Sequence, residues 1–145
     1  MIDAPQLTEQ EKLIQINQLI KGTLMETLGI QFTEINEKYI SGTMPVDHRT
    51  IQPAGVVHGG AYMALAETLG SAASMLSVDP LLYRVLGLEM KGNYLRTVSS
   101  GKVHGKATPV HKGKTTQLWN IDMWDDEGNL LATCRITNII MKKEE

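Results

Sequence analysis

Cysteine occurs once in the 145 residues, at Cys134, so no disulfide can form within the chain. The histidines, His48, His58, His104 and His111, are scattered and form no cluster with metal-ligand spacing, so no metal site is expected. No apolar run approaches the roughly 18 residues that a membrane-spanning helix needs. Charge is nearly balanced: 14 Lys and Arg stand against 16 Asp and Glu, for a net charge of −2. That leaves no basic stripe for nucleic acid and no polybasic run for an anionic membrane. The start, Met1 to Gln10, is polar and acidic, which does not fit a signal peptide. Repeats and low-complexity tracts are absent. These absences point to a cytoplasmic, metal-free protein.

What is present suits a soluble globular fold. Hydrophobic residues make up 42% and charged residues 21%, both ordinary values, and the length suffices for one core. Apolar residues at Leu13, Ile14, Ile16, Leu19 and Ile20 have helical spacing. Thr8-Glu9-Gln10-Glu11 is a capping-box pattern that starts this helix at Thr8, and Lys21-Gly22 ends it. Thr23 to Leu28 predicts a further helical turn closed by Gly29. Ile30 to Ile35 and Tyr39 to Val46 read as two strands, and Asp47 to Val57 as a loop. A long helix rich in small residues follows, from about Gly59 to Leu76. Val85 to Leu95, Gly101 to His111, Thr115 to Trp124 and Leu130 to Met141 are four long β-rich spans. Asp125 to Asn129 forms a hairpin turn between the last two. This order predicts an α+β fold, an antiparallel sheet with its main helix on one face. One helix cannot cover both faces of so long a sheet, so an oligomer is expected.

The stretch Gln52-Pro53-Ala54-Gly55-Val56-Val57-His58-Gly59-Gly60 is a Gly-rich turn that opens the long helix. Backbone N–H groups at a helix start bind developing negative charge. Two turns in, Glu67 is a lone acid among Ala64, Leu65, Ala66 and Ala73, and a carboxylate on an apolar face is costly without a partner or a task. Ser71 lies one turn beyond Glu67 on the same face. The pattern fits hydrolysis of an acyl compound. Gly59 N–H would polarise the carbonyl, Glu67 would act as base or nucleophile, His58 and Gln52 would position carbonyl or water, and Ser71 would hold Glu67 or the water. A thioester suits this set, because its thiolate leaves without a strong general acid.

Gly59 and Glu67 are eight residues apart, about 12 Å along a helix axis. One carbonyl carbon cannot sit close to both within one chain. Two antiparallel helices in a two-fold dimer remove the difficulty by setting Gly59 of one copy against Glu67 of the other. Cys134 reads as a small buried strand residue. His48, His104 and His111 have no triad partner at a recognisable spacing and read as surface or strand positions.

The residues from Gln52 to Gly60, followed by Ala64-Leu65-Ala66-Glu67-Thr68-Leu69-Gly70-Ser71, resemble the hotdog-fold acyl-CoA thioesterases. The resemblance spans Leu28 to Met141. It lies in the branch with the phenylacetate-pathway and Arthrobacter-type 4-hydroxybenzoyl-CoA thioesterases, and is strongest to the enterobactin proofreading and 1,4-dihydroxy-2-naphthoyl-CoA members. Gly101-Lys102-Val103, Pro109 to Thr115 and Asp126 to Asn129 are similar too. Where close members carry His-His-Arg or a similar polar run, this chain has Asn93-Tyr94-Leu95-Arg96.

The resemblance implies a hotdog domain over 28–145, a long central helix wrapped by an antiparallel sheet, with residues 1–27 as an extra N-terminal helical extension. It implies Gln52, His58, Gly59, Glu67 and Ser71 as the catalytic set. It also implies homodimers with shared active sites, paired into a homotetramer. Coenzyme A would be part of the substrate rather than a cofactor. Its phosphates would meet Arg96, Lys112, Lys114 and Arg135, with Gly113 allowing close approach. The expected reaction is hydrolysis of an aryl or medium-chain acyl-CoA, such as 1,4-dihydroxy-2-naphthoyl-CoA. The alternatives are proofreading of an acyl or aryl carrier protein and, more remotely, a non-catalytic acyl-CoA sensor.

Overall fold

The computed structural model describes residues 7–144. Residues 1–6, which begin the polar start and the 1–27 extension, and residue 145, the last of the 28–145 domain, lie outside the described residues. Helix α1 spans Glu9–Leu19 and begins with the predicted capping box. Glu11 N–H donates to Thr8 Oγ1 at 3.2 Å, and Thr8 N–H donates back to the Glu11 carboxylate at 2.8 Å. Helix α2 (Leu24–Leu28) stops at Gly29, whose φ of 69° is the left-handed conformation that glycine adopts freely.

Six strands follow the predicted order: β1 (Gln31–Ile35), β2 (Ile40–Pro45), β3 (Tyr83–Tyr94), β4 (Lys102–Lys112), β5 (Thr116–Trp124) and β6 (Leu130–Lys142). The long helix α3 (Gly59–Met75) lies between β2 and β3 in sequence. The strands form one antiparallel sheet in the order β1-β2-β4-β5-β6-β3. Period-2 alternation turns Ile40 and Met44, Val103 and Ala107, Trp119, Ile121 and Met123, and Cys134 and Ile136 to the helix side. They bury Leu65, Ala66 and Leu69 of α3 completely. The small residues of α3 permit close packing on the sheet: a Cβ on Gly70 would overlap Ile136 Cγ2 of β6, and across the same layer a Cβ on Gly105 of β4 would lie 2.6 Å from Leu69 Cδ1.

The two sheet edges are treated differently. Edge β1 is covered by α1. The Asn17 side chain donates to Phe32 O at 2.9 Å and accepts Phe32 N–H at 3.0 Å, beside the register slip between Phe32 and Glu34. The N-terminal helix therefore packs on the outside of the sheet. Edge β3 has no such cover among the described residues. Its Leu86, Leu88 and Tyr94 are all about half exposed, as is Leu95 just beyond it. A long apolar edge strand is a template for another strand. The alternation in β3 breaks once, at a slip between Gly87 and Glu89.

Candidate functional site

The loop before α3 is built to present its first turn. Ile51 and Val57 form an isolated bridge, and Gly55 N–H donates to Gln52 O at 2.8 Å. His58 N–H donates to Thr50 O at 2.9 Å, and buried Thr50 is held in turn by its hydroxyl donating to Pro45 O at 2.8 Å. His58 thus arrives extended, at φ −70° and ψ 135°, as an N-cap residue must. Its Nδ1 accepts the Gly60 N–H at 2.8 Å. An Nδ1 that accepts carries no proton, so neutral His58 holds its proton on Nε2, directed away from the cap.

Among the described residues, Gly59 N–H has no protein partner. It sits where the helix dipole adds positive potential. The Tyr94 ring lies against Gly59, and a Cβ there would stand 3.2 Å from Tyr94 Cζ. Tyr94 in turn stacks on Tyr62, with centroids 5.9 Å apart and planes 28° from parallel. Burial pushes the Tyr62 phenol up to about 12. The sequence marks Asn93-Tyr94-Leu95-Arg96 as a departure that bears on the acyl-pocket lining, but it does not show that Tyr94 lies against Gly59. Its position depends on β3 pairing with β6 and then crossing over the start of α3.

Glu67 lies two turns along the helix, exposed in the single chain although Leu65 and Ala66 beside it are fully buried. The apolar neighbours in sequence occupy the other faces of α3. Ser71 Oγ donates to Glu67 Oε1 at 3.2 Å, the predicted pairing one turn apart. Gln52 is half-buried in the loop, one residue beyond the Ile51–Val57 bridge. A single chain therefore sets His58 and Gly59 at the helix start, with Gln52 in the loop that leads to it. It brings together Glu67 and Ser71 two turns away.

The five residues expected at coenzyme A are dispersed. Arg96 follows β3 at the end where Tyr94 pairs with Ala132, and its N–H donates to Leu131 O at 3.1 Å. Lys112, Gly113 and Lys114 form the β4–β5 turn at the opposite end of the sheet. Lys112 Nζ lies 5.1 Å from the Trp119 ring centroid, beside a cavity of about 170 Å³ that reaches Ala73 and Ser77 at the far end of α3 from Gly59. Gly113 has a reason within its own chain, since a Cβ would meet Thr116 O at 2.8 Å. Arg135 projects from the outer sheet face, opposite Lys91.

Of the other histidines, His104 contacts Asp126 Oδ1 through Nε2 at 2.6 Å on the exposed outer face. That contact, helped by Lys102 N–H, lowers the Asp126 carboxyl. Cys134 is buried as predicted, and burial pushes its thiol up to about 11.

Comparison with known proteins places this geometry. A profile described as Thioesterase superfamily matches residues 54–132. The proofreading thioesterase EntH of Cronobacter turicensis is 42% identical over 126 residues, which cover 87% of this chain and 91% of that protein. The 1,4-dihydroxy-2-naphthoyl-CoA hydrolase of Escherichia coli is 38% identical over 126 residues, covering 87% and 92%. The crystal structure of a thioesterase from Haemophilus influenzae superposes with a TM-score of 0.88 at 40% identity, over 100% of this chain and 98% of that one. The chain belongs to the thioesterase superfamily and has its hotdog fold. It is a hydrolase of thioesters.

Proposed function

We propose that the protein hydrolyses an acyl-CoA thioester, with an aryl or medium-chain acyl group, in an active site shared between two copies of the chain. The observation that carries this reading is a Gly59 N–H at the start of α3 that has no partner among the described residues, together with a carboxylate, Glu67, whose one side-chain partner among them is Ser71. About 12 Å of helix separates the two groups. Pairing of two β3 edges about a two-fold axis would bury the exposed Leu86 and Leu88 and set the two α3 helices antiparallel. Each Glu67 would then approach the partner's Gly59.

In this arrangement the thioester carbonyl accepts from the partner's Gly59 N–H and the partner's His58 Nε2–H. Glu67 takes a proton from water, whose oxygen bonds to the acyl carbon. The carbonyl π pair moves onto oxygen, where the two donors hold it. Collapse of that adduct breaks the C–S bond, and the thiolate leaves. Gln52 orients the acyl group, and Ser71 fixes the Glu67 carboxylate. The acyl group meets the Tyr62–Tyr94 stack, which supports an aryl substrate. Coenzyme A is substrate, with no further cofactor. Its phosphates draw on Arg96, Lys112, Lys114 and Arg135, and the separation of Arg96 from Lys112 in one chain is a second reason for a shared site. A homotetramer would repeat this dimer.

Carrier-protein proofreading is the second reading, supported by the 42% identity to a proofreading thioesterase. An acidic carrier would dock on the same lysines and arginines. The test is a free-thiol assay with benzoyl-CoA, hexanoyl-CoA, palmitoyl-CoA and a benzoyl-loaded aryl carrier protein. Benzoyl-CoA turnover that Glu67→Gln lowers by about 10²–10⁴-fold supports the main reading. Turnover confined to the carrier supports the second. Unchanged turnover in Glu67→Gln overturns the role given to Glu67.

A further inference from the structure

Gly60 and Glu67 are exposed and Met63 and Ser71 half-buried, so one face of α3 is open among the described residues. That face runs along β3. Gly59 lies against the Tyr94 ring. One turn on, the point where a Cβ on Gly92 would sit is 2.7 Å from Met63 Sδ. A further turn on, the corresponding point at Gly87 is 2.9 Å from Glu67 Oε1. The glycines of β3 thus leave the room that these two α3 side chains fill. Behind them stands β6. Gly87 pairs with Asn138, whose Nδ2 donates to Gly70 O at 3.1 Å and to Ser74 Oγ at 2.8 Å and so ties β6 to α3. Gly92 pairs with Cys134, whose thiol donates to Met63 Sδ at 4.0 Å.

Met63 is four residues from Gly59 and four from Glu67, about 6 Å along the helix axis from each. Where two antiparallel α3 helices set Gly59 of one copy against Glu67 of the other, residue 63 is the midpoint, and the two-fold axis passes beside it. Each shared site then has one Met63 a turn from its carbonyl donor and another a turn from its carboxylate. Gly92 and Tyr94 are two apart in one strand, so the seated thioether and the Tyr94 ring lie on the same side of β3. The Met63 thioether and the Cys134 thiol offer little to a polar pantetheine amide, whose desolvation would go uncompensated, and they suit an acyl group. An unbranched thioether also moves at little cost, so its position can respond to what surrounds it.

We infer that Met63 is a specificity-determining residue: its side chain walls the acyl group, and its seat in the Gly92 notch sets the size of acyl group that the site admits. This rests on the reading of a shared acyl-CoA site. Met63 makes and breaks no bond. Shortening it to alanine opens the notch to the acyl group. A methyl at position 92 does the reverse, because it drives the thioether out of the notch and into the acyl space. Two substitutions on different elements should therefore move selectivity in opposite directions.

The test measures binding of two thioethers that cannot be hydrolysed, phenacyl-CoA and its naphthyl counterpart, by titration calorimetry. It compares full-length wild type, Met63→Ala, Gly92→Ala and Glu67→Gln, with thermal unfolding as the check on folding. Met63→Ala is expected to shift the ratio of the two affinities about tenfold toward the naphthyl ligand, and Gly92→Ala about tenfold toward the phenyl ligand. A residue that only packs α3 on β3 would change both affinities alike and leave the ratio in place. Gly92 has no positive φ, and its methyl would meet only the ends of the Met63 and Cys134 side chains, so Gly92→Ala keeps the fold and decides the matter if Met63→Ala does not fold. Opposite shifts support the inference. A ratio within about twofold of wild type in either folded variant overturns it, as does a shift against the expected direction. Glu67→Gln should keep the wild-type ratio while turnover falls, which separates the wall from the base. Wild type that binds neither thioether removes the acyl-CoA reading and this inference with it, whereas wild-type binding with unmoved ratios removes this inference alone.

Discussion

His58 Nδ1 accepts the Gly60 N–H at 2.8 Å, so one side chain both caps α3 and fixes its own tautomer. The two roles separate by substitution. In His58→Asn the side-chain oxygen still caps the helix, and the unfolding temperature should stay near that of wild type. The Nε2–H is lost, so kcat/KM should fall. In His58→Ala the cap is lost as well, at a cost of about 1 kcal/mol. Calorimetry beside a thiol-release assay measures both. Equal activity in His58→Asn and wild type would remove His58 from the carbonyl.

The exposed edge of β3 leads to an assembly prediction. Leu86→Glu together with Leu88→Glu puts two charges where the second copy would pair, at positions that are 49% and 59% exposed in the single chain. The fold should survive, because neither side chain belongs to the core. The variant should run as a monomer on size exclusion with light scattering, and it should lose turnover. A monomer that keeps turnover would show that one chain suffices.

Gly70 decides between two opposed effects. Alanine in a helix is favoured over glycine by about 1 kcal/mol. Here, however, an added Cβ would overlap Ile136 Cγ2, on a β-branched side chain with no exposure. Overpacking costs typically 1–3 kcal/mol. Gly70→Ala should therefore destabilise the protein by on the order of 1 kcal/mol, read as a lower urea midpoint at unchanged slope. A higher midpoint would mean that α3 and β6 move apart without cost.

Alkaline stability follows from two buried acids. Burial, then Asp122, pushes the Cys134 thiol from 9.0 up to about 11, and burial, then Asp125, pushes the Tyr62 phenol from 10.0 up to about 12. Both folded values are raised, so the unfolded chain releases these protons first. Their contribution is complete below about pH 9 and is lost as pH rises through about 11 for Cys134 and about 12 for Tyr62. The urea midpoint should fall over that window, and less in Cys134→Ala. At neutral pH the native thiol should not react with a disulfide reagent.

The helices and strands were legible because their signals are local. Thr8 and Glu11 are one turn apart, Gly59 opens a helix after a histidine cap, and period-2 alternation marks each strand within about ten residues. Glu67 and Ser71 stood out for the same reason, as neighbours on one helical face. The separation of Gly59 from Glu67 could be turned into an argument for two chains because helix rise is constant.

Asn138, Gly87 and Tyr94 were not legible in that way. In the sequence Asn138 is one of several polar residues of β6, and Gly87 is one glycine among 13. Their meaning comes from the register of β3 on β6, which joins residues about fifty apart in the chain, and from the slip at Leu88 that no local pattern announces. The dispersal of Arg96, Lys112 and Arg135 likewise required the strand order. The sequence by itself determined the elements, the helix cap, the carboxylate and the family, since these rest on spacings of a few residues. Only the tertiary structure decided which groups from distant strands come together, because pairing of distant strands is set by burial of the whole sheet face on α3 rather than by any one segment.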